Sequence, residues 1–221
     1  MTPDIAAFID HTILKPDCTE SQVSRLCEEA AQYNFASVCI LPWHVAHAYR
    51  ALAATSVPVC TVVGFPLGAT HTTSKLHEAL LALDDGAREI DMVINLTALK
   101  SGHYDEVLSD ILAIANVVHE RSALLKVIIE TCLLTEEEKL RMCAMITQVG
   151  ADFIKTSTGF STGGATFEDV ALLREHVGPN VRVKASGGIR DYETTLAMIA
   201  AGAERIGTSS GVTIVNESIA R

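Results

Sequence analysis

Residues 181–202, "VRVKASGGIRDYETTLAMIAAG", contain in one run the features that decide the fold. The alternating strand pattern VRVKASG ends in the pair Gly187 and Gly188, and Asp191 then offers a helix cap before an apolar stretch able to form a helix. A strand that leads through a short glycine turn into a helix is typical of a βα unit. This stretch therefore predicts a parallel sheet covered by helices.

The same order of strand and helix recurs along the chain. Seven further β-branched runs each precede a stretch able to form a helix: FIDHTIL (8–14), SVCILP (37–42), VPVCTVVGF (57–65), EIDMVIN (89–95), LKVIIET (125–131), FIKTST (153–158) and RIGTSS (205–210). Thr19, Thr135 and Thr166 are candidate helix caps, each with an acidic or amide residue three positions later. Eight such units predict an α/β fold, a (β/α)8 TIM barrel in a single domain of residues 1–221, with an open doubly wound sheet as the alternative.

Composition and charge restrict the class of function. The 221 residues are 48% hydrophobic and 20% charged, and the formal net charge is -10, with lysines and arginines scattered along the chain. These features argue against binding to nucleic acid or to an anionic membrane surface, and they favour a small ligand. The sequence has no apolar run of about 18 residues, no basic leader before Asp4 and no CxxC pair among its six cysteines. We therefore expect a cytoplasmic protein with reduced thiols.

Strand alternation brings charged side chains to the inside of the predicted barrel. In EIDMVIN, Asp91 lies on the face opposite the apolar Ile90 and Met92. The same alternation turns Lys155 and Lys184 inward. These three charged residues lie near the C-terminal ends of strands four, six and seven, which is the end of a barrel where active sites are built.

Two lysines that share one carboxylate differ from an ordinary salt bridge. Each ammonium disfavours the other and burial disfavours both, so we expect the pKa of at least one of them to fall. A lysine that is partly neutral at neutral pH is an amine nucleophile. Lys126 shares the inner face of its strand but precedes the strand's end by about four residues. It is therefore predicted to form a structural pair deeper in the barrel.

Three loops rich in glycine and hydroxyl groups are candidates for phosphate binding. SGGIRD and GTSSG follow strands seven and eight, where barrels commonly bind a phosphate, and STGFSTGGAT follows Lys155 as a longer loop that could close over a substrate. The candidate contacts are Gly159, Gly187, Gly188, Ser209 and Ser210. Arg190 could equally cap a helix or pair on the surface, so it is not assigned to the site. The loops together favour a phosphorylated metabolite.

The chain resembles a known family in five motifs that occur in the family's order: DHTILKP (10–16), EIDMVIN (89–95), FIKTSTGF (153–160), VKASGGIR (183–190) and GTSSG (207–211). The family is deoxyribose-phosphate aldolase, a class I aldolase family, and the resemblance covers nearly the whole chain. It implies a (β/α)8 barrel without metal or other cofactor. The implied reaction is the reversible cleavage of 2-deoxyribose 5-phosphate into glyceraldehyde 3-phosphate and acetaldehyde.

The resemblance also implies a role for each of the inward-facing residues. Lys155 would form the Schiff base, and Asp91 and Lys184 would act in proton transfer. Asp10 and Cys39 match family positions that line the pocket, and Asp10 could orient a lysine or a bound water there. The candidate phosphate contacts in the three loops match the family's phosphate-binding positions.

One departure from the family's pattern concerns the end of the sequence. Some members continue into a mobile tail that ends in tyrosine, whereas this sequence ends at IVNESIAR (214–221). If that tyrosine helps to protonate the enamine in those members, we expect either a slower enzyme or one that relies on water held by Asp91 and Lys184.

Three other functions remain open from the residues alone. A barrel isomerase or epimerase of a pentose phosphate would use the same phosphate loops without a covalent amine. A metal-dependent aldolase would need ligands such as His44 with His47 or His71 with His77, and neither pair is a specific metal signal. A noncatalytic sugar-phosphate sensor would bind the ligand without releasing acetaldehyde. The assembly is also open, and a homodimer is compatible with the apolar outer faces of the helices.

Overall fold

The computed structural model describes residues 4–220, which fold as alternating strands and helices. The strands are Ile9–Ile13 (β1), Ser37–Ile40 (β2), Val59–Val63 (β3), Glu89–Val93 (β4), Leu124–Ile128 (β5), Phe153–Lys155 (β6), Arg182–Ser186 (β7) and Arg205–Thr208 (β8). The helices are Glu20–Tyr33 (α1), Val45–Ala51 (α2), Thr72–Asp84 (α3), Leu96–Lys100 (α4), Tyr104–Glu120 (α5), Glu136–Val149 (α6), Phe167–His176 (α7), Tyr192–Ala200 (α8) and Gly211–Ile219 (α9). Short 3-10 turns occur at Ile5–Phe8, Pro42–His44 and Thr131–Leu133. Among residues 4–220, no helix combines the length and the apolar character needed to cross a membrane.

The strands form one closed sheet. They pair in parallel and in sequence order, and β1 pairs with both β2 and β8. This closure confirms the predicted (β/α)8 barrel and rules out the open doubly wound sheet. The predicted domain limits include residues 1–3 and 221, which lie outside the described residues.

The helices begin at the predicted caps. Thr19 and Thr135 each form a capping box with the residue three positions later, at the starts of α1 and α6. Thr166 and Asp191 accept hydrogen bonds from backbone N–H groups in the first turns of α7 and α8. Because a side-chain cap satisfies backbone donors that the helix leaves free, these residues define where each loop at the barrel mouth ends.

The two faces of the strands differ as alternation predicts. Ile90 and Met92 of β4 and Val183 of β7 belong to the main hydrophobic core, together with helix residues such as Ile111 and Ile114. This core lies between the strands and the surrounding helices. The opposite faces of the same strands carry charged side chains into the barrel.

Candidate active site

The barrel interior contains a cluster of charged side chains, which we call the inner cluster. Its seven members are all buried: Asp10, Glu89, Asp91, Lys126, Lys155, Lys184 and Arg205. Strand register brings them together, because Asp91 lies opposite Lys126 and Lys155 lies opposite Lys184. Residues paired in this way are roughly 5 Å apart at the backbone, so their inward side chains meet.

Asp91 is the centre of the inner cluster. Its Oδ2 atom accepts hydrogen bonds from Lys155 Nζ at 2.6 Å and from Lys184 Nζ at 2.7 Å. Its Oδ1 atom accepts one from Lys126 Nζ at 2.9 Å. Burial opposes ionisation of this carboxyl, but the three ammonium groups outweigh burial and hold the pKa of Asp91 well below its usual value. The structure therefore brings Asp91, Lys155 and Lys184 into direct contact.

Lys184 has a second carboxylate partner, Asp10, which the resemblance already offered as a residue that could orient a lysine. Its ammonium contacts Asp10 Oδ2 as well as Asp91 Oδ2. Burial by itself would lower the pKa of Lys184, but the two carboxylates reverse that effect and raise it. The expected fall in pKa therefore does not occur at Lys184, which remains an ammonium ion at neutral pH.

Asp10 is held by several donors within the inner cluster. Arg205 Nη1 donates to its Oδ1 atom at 2.5 Å, and Ser37 Oγ donates to the same atom at 2.7 Å. Burial would raise the pKa of Asp10, but Lys184, Arg205 and Lys126 outweigh it and lower the pKa. Asp10 is therefore a fixed anion that orients Lys184.

Lys126 forms the expected structural pairing inside the barrel, and this pairing is part of the same cluster. Its Nζ donates to Asp91 Oδ1 and also lies 2.5 Å from Glu89 Oε2. Burial would lower the pKa of Lys126, but the neighbouring Asp91 and Glu89 carboxylates contribute to raising it well above its usual value. Glu89 and Asp91 lie on one face of β4, so a lysine on the next strand reaches both. The register between the strands was the missing information.

The inner cluster has one cation more than it has carboxylates, since four of its members are cations and three are carboxylates. Lys126, Lys184 and Arg205 each contact a carboxylate other than Asp91. Among residues 4–220, Asp91 is the one carboxylate in contact with the Lys155 ammonium group, and Lys155 shares it with Lys184. Loss of the Lys155 proton leaves the cluster electrically neutral, so Lys155 is the candidate amine nucleophile.

A cavity of about 430 Å³ opens at the C-terminal end of the barrel. Its wall is formed by the end of β1 and the residues after it, by the loops after β6 and β7, and by β8 with the loop after it. Lys155 lies on this wall, with 3% of its surface exposed, whereas the other members of the inner cluster do not. The volume suits a small metabolite. A ligand in this cavity can therefore reach the Lys155 amine.

The loop after β7 contains two consecutive glycines in a backbone conformation that other residues rarely adopt. Gly187 and Gly188 line the cavity and have φ values of +87° and +85°. A Cβ atom on Gly187 would also lie 3.0 Å from Gly164 Cα in the facing loop. Side chains rarely adopt this region of φ, so glycine lets the backbone approach a ligand closely.

Two of the remaining predicted phosphate contacts also lie on the cavity wall and one does not. Gly159 and Ser209 line the cavity. Ser210 does not line it, and its backbone N–H donates to Thr208 Oγ1 at 2.9 Å. That N–H is therefore already engaged within the protein.

Two cations on the cavity wall were not assigned to the site from the sequence. Lys15 and Arg190 both line the cavity, and neither has an acidic partner within 4 Å among residues 4–220. In a chain with a net charge of -10, two unpaired cations facing one cavity favour an anionic ligand. Lys15 follows β1 by two residues, so its place in a loop at the barrel mouth was the available signal.

A third missed residue carries a free hydroxyl group. Ser186 Oγ is buried on the cavity wall and has no hydrogen-bond partner among the described residues. Alternation along VRVKASG already turns Ser186 inward, which is the signal that could have identified it. Its hydroxyl is available to a polar group of the ligand.

Cys39 and Asp10, the other predicted pocket residues, are buried and do not line the cavity. Among residues 4–220, the group with the spacing to hold a metal ion is Cys39, Cys60 and Asp91. Lys126 Nζ lies 3.2 Å from Cys60 Sγ and also donates to Asp91, so an added cation there would meet an ammonium ion. The histidine pairs considered from the sequence do not form such a group within the described residues.

Comparisons with known proteins agree with this geometry. The model of the DeoC/LacD family aldolases matches residues 5–217. A deoxyribose-phosphate aldolase of Geobacillus sp. (strain WCH70) is 60% identical over 215 residues, which cover 97% of this chain and 96% of that protein. The solved structure of the aldolase QR15 has a TM-score of 0.93 at 44% identity, covering 99% of this chain and 97% of that one. A tetrameric deoxyribose phosphate aldolase from Aeropyrum pernix has a TM-score of 0.91 at 34% identity, covering 97% and 91%.

Proposed function

The chain belongs to the DeoC/LacD family of aldolases, and from that premise we propose that it cleaves 2-deoxyribose 5-phosphate reversibly into glyceraldehyde 3-phosphate and acetaldehyde. The observation that carries the proposal is Lys155 on the cavity wall, in contact with a carboxylate that two other ammonium groups already share. This arrangement supports Lys155 as the residue that forms a Schiff base with the substrate aldehyde.

Covalent catalysis begins with the neutral amine of Lys155. Its Nζ attacks the C1 carbonyl of the open-chain sugar phosphate, and loss of water gives a protonated imine. The imine accepts the electron pair of the C2–C3 bond when that bond breaks. The products of this step are glyceraldehyde 3-phosphate and an enamine still attached to Lys155.

Proton transfer is assigned to Asp91 and Lys184. Cleavage requires removal of the proton from the C3 hydroxyl group, and the enamine must then gain a proton before water releases acetaldehyde and the free amine. Asp91 Oδ2 is in hydrogen-bond contact with both Lys155 and Lys184, so a proton can pass among the three groups and a water in the cavity. Asp10 holds Lys184 at this position.

The phosphate is assigned to the part of the cavity wall formed by the loops after β1 and β7. Gly187 and Gly188 supply a backbone turn with positive φ, and Lys15 and Arg190 supply positive charge. Binding of the remote phosphate holds C1 near the Lys155 amine and thereby lowers the entropic cost of attack.

Removing the positive charge of Lys15 or of Arg190 should weaken binding of the phosphate. Lys15→Ala and Arg190→Ala are each expected to raise the KM for 2-deoxyribose 5-phosphate by about tenfold, because a charge-assisted hydrogen bond of this kind is worth about 1.5 kcal/mol or more. The kcat should change less, and kinetics with unphosphorylated 2-deoxyribose should stay close to wild type. Lys100→Ala is the matched control, since Lys100 is half-exposed and pairs with Glu138 at 2.6 Å. Equal losses on both substrates would argue against the assignment.

An assay of acetaldehyde release from 2-deoxyribose 5-phosphate tests the proposal directly. Release is expected, and borohydride added during turnover should inactivate the enzyme by reducing the imine. Interconversion of pentose phosphates without acetaldehyde would support an isomerase or epimerase instead. Binding without any turnover would support a sensor, and loss of activity with a chelator would support a metal-dependent aldolase.

A cytoplasmic location is part of the same proposal. All six cysteines are free thiols, four of them buried, as in proteins of a reducing compartment. A homodimer is compatible with this fold, and sedimentation at several protein concentrations would measure the assembly.

A further inference from the structure

Glu130 is a buried carboxylate at the barrel mouth that the proposed mechanism does not use. It follows β5 by two residues, and 2% of its surface is exposed. Among residues 4–220, no lysine, arginine or histidine nitrogen lies within 4 Å of its carboxylate. Its backbone has a φ of +55°, a region that residues other than glycine seldom adopt. A buried charge without a cation, on a strained backbone, indicates a specific task.

The Glu130 carboxylate contacts the segment that follows Lys155. Its Oε2 atom accepts a hydrogen bond from Thr158 Oγ1 at 2.5 Å. Its two oxygens also lie 3.2 and 3.3 Å from the backbone nitrogen of Thr158, which donates to them. Thr158 Oγ1 in turn accepts a hydrogen bond from the backbone N–H of Phe160 at 3.0 Å. One carboxylate therefore fixes a hydroxyl group and one backbone amide directly, and a second backbone amide through the hydroxyl group.

These contacts determine which backbone N–H group of the loop remains available to a ligand. Thr158, Gly159 and Phe160 all lie on the cavity wall. The N–H groups of Thr158 and Phe160 are committed to Glu130 and to the Thr158 hydroxyl. The N–H of Gly159, between them, has no acceptor among the described residues, and Gly159 has a φ of +84°. The network thus leaves one amide of three for a ligand.

The same segment is also anchored to β5 next to Glu130. The backbone N–H of Ile129 donates to Lys155 O at 3.0 Å, and that of Thr131 donates to Thr156 O at 2.9 Å. The segment that Glu130 holds therefore begins at the amine-bearing residue and ends at the cavity wall. A shift at Thr158 would change the distance between the Lys155 amine and the phosphate end of the cavity.

We infer that Glu130 is a positioning residue for phosphate recognition, holding the Thr158–Phe160 turn so that the Gly159 amide faces the substrate phosphate. This inference rests on the proposed function for the identity of the substrate. Glu130 does not touch the reacting atoms, and it acts through the Thr158 hydroxyl and the backbone of the turn. Its carboxylate accepts hydrogen bonds from the hydroxyl group and the backbone N–H of Thr158, and these donors lie between the carboxylate and the ligand.

Glu130→Ala should reduce the preference for a phosphorylated substrate. We expect the ratio of kcat/KM for 2-deoxyribose 5-phosphate to kcat/KM for 2-deoxyribose to fall about tenfold, mainly through a higher KM, since the loss of a buried acceptor frees the donors that hold the turn. Glu130→Gln keeps an amide oxygen that accepts these hydrogen bonds, so it should retain most of the ratio. Glu78→Ala is the matched control, because Glu78 accepts a hydrogen bond from the Gly64 amide at 2.7 Å in the loop after β3.

Three results would overturn the inference. The ratio could stay at the wild-type value in Glu130→Ala, or it could fall equally in Glu78→Ala. Glu130→Gln could also be as damaging as Glu130→Ala, which would mean that the charge itself takes part in proton transfer. If Glu130→Ala does not fold, Thr158→Val removes the hydroxyl link instead, and an unchanged ratio in that variant would overturn the inference as well.

Binding of inorganic phosphate tests the role of Glu130 without any dependence on turnover. The phosphate concentration that half-maximally raises the melting temperature should be about tenfold higher in Glu130→Ala than in wild type, and nearly unchanged in Glu130→Gln. If wild type releases no acetaldehyde but this difference holds, the proposed function fails and the positioning role of Glu130 stands. If wild type releases acetaldehyde but phosphate binding is the same in all variants, the inference about Glu130 fails alone.

Discussion

Lys155→Met is expected to lower the release of acetaldehyde by about a thousandfold or more, the order of loss seen when an enzyme loses its nucleophile. Methionine has a similar length but no amine, so no imine can form and borohydride should no longer inactivate the protein. The measurement is kcat/KM for 2-deoxyribose 5-phosphate, together with the mass of the protein after treatment with acetaldehyde and borohydride.

The fold should survive this change because Lys155 is the surplus cation of the inner cluster. Asp91 keeps Lys126 at 2.9 Å and Lys184 at 2.7 Å after the Lys155 ammonium is removed. Lys139→Met is the matched control, since Lys139 forms a half-buried pair with Asp169 at 2.6 Å on the outer helices. Substantial acetaldehyde release by a folded Lys155→Met protein would reject the assignment of the nucleophile.

Lys184→Met should have the second largest effect. We expect kcat to fall about a hundredfold or more at neutral pH, because a group assigned to proton transfer is lost. Labelling of Lys155 by acetaldehyde and borohydride at neutral pH should also fall, because an ammonium group that competes for Asp91 is gone.

The direction of this change in labelling follows from the charges in the inner cluster. Lys184 carries a raised pKa and is an ammonium ion at neutral pH, held by Asp10 and Asp91. Without it the cluster has three cations and three carboxylates, and Lys155 becomes a required partner of Asp91. Lys75→Met is the control, since Lys75 is equally buried but pairs with Asp110 between the strands and the helices. Undiminished labelling of Lys155 in Lys184→Met would contradict the charge argument.

Local patterns in the sequence were enough to predict the fold and three residues of the site. The alternation of side chains along a strand has a period of two, so EIDMVIN, FIKTST and VRVKASG each show which residues face inward without knowledge of their neighbours. Helix caps such as Thr135 depend on residues three positions away, which is also local. Asp91, Lys155 and Lys184 could therefore be identified before any contact was known.

The remaining contacts depend on register between strands that are distant in sequence. Closure of the barrel staggers the strands, and this stagger decides that Lys126 lies opposite Asp91 and that Asp10 reaches Lys184. Arg205 completes the inner cluster from β8 by contacting both Asp10 and Glu89. A sequence pattern does not encode these pairings, so the predicted pair of lysines on one carboxylate proved to be part of a larger network with one surplus cation.

The cavity wall was harder to predict for a different reason. Lys15 and Arg190 are exposed cations in loops, and such residues usually belong to the solvated surface. They become candidate ligand contacts only because they line the cavity and lack an acidic partner among residues 4–220. Glu130 was likewise missed, because its burial depends on the path of the loop after Lys155.

The location of the covalent label is the most direct test of the central claim, which is that the inner cluster leaves Lys155 as its reactive amine. Wild-type protein is treated with acetaldehyde and borohydride at neutral pH, digested, and mapped by mass spectrometry. The expected result is an ethyl group on Lys155 and none on Lys126 or Lys184, whose ammonium groups are held by Glu89 and Asp10. An ethyl group on Lys126 or Lys184, or none at any of the three lysines, would contradict the account.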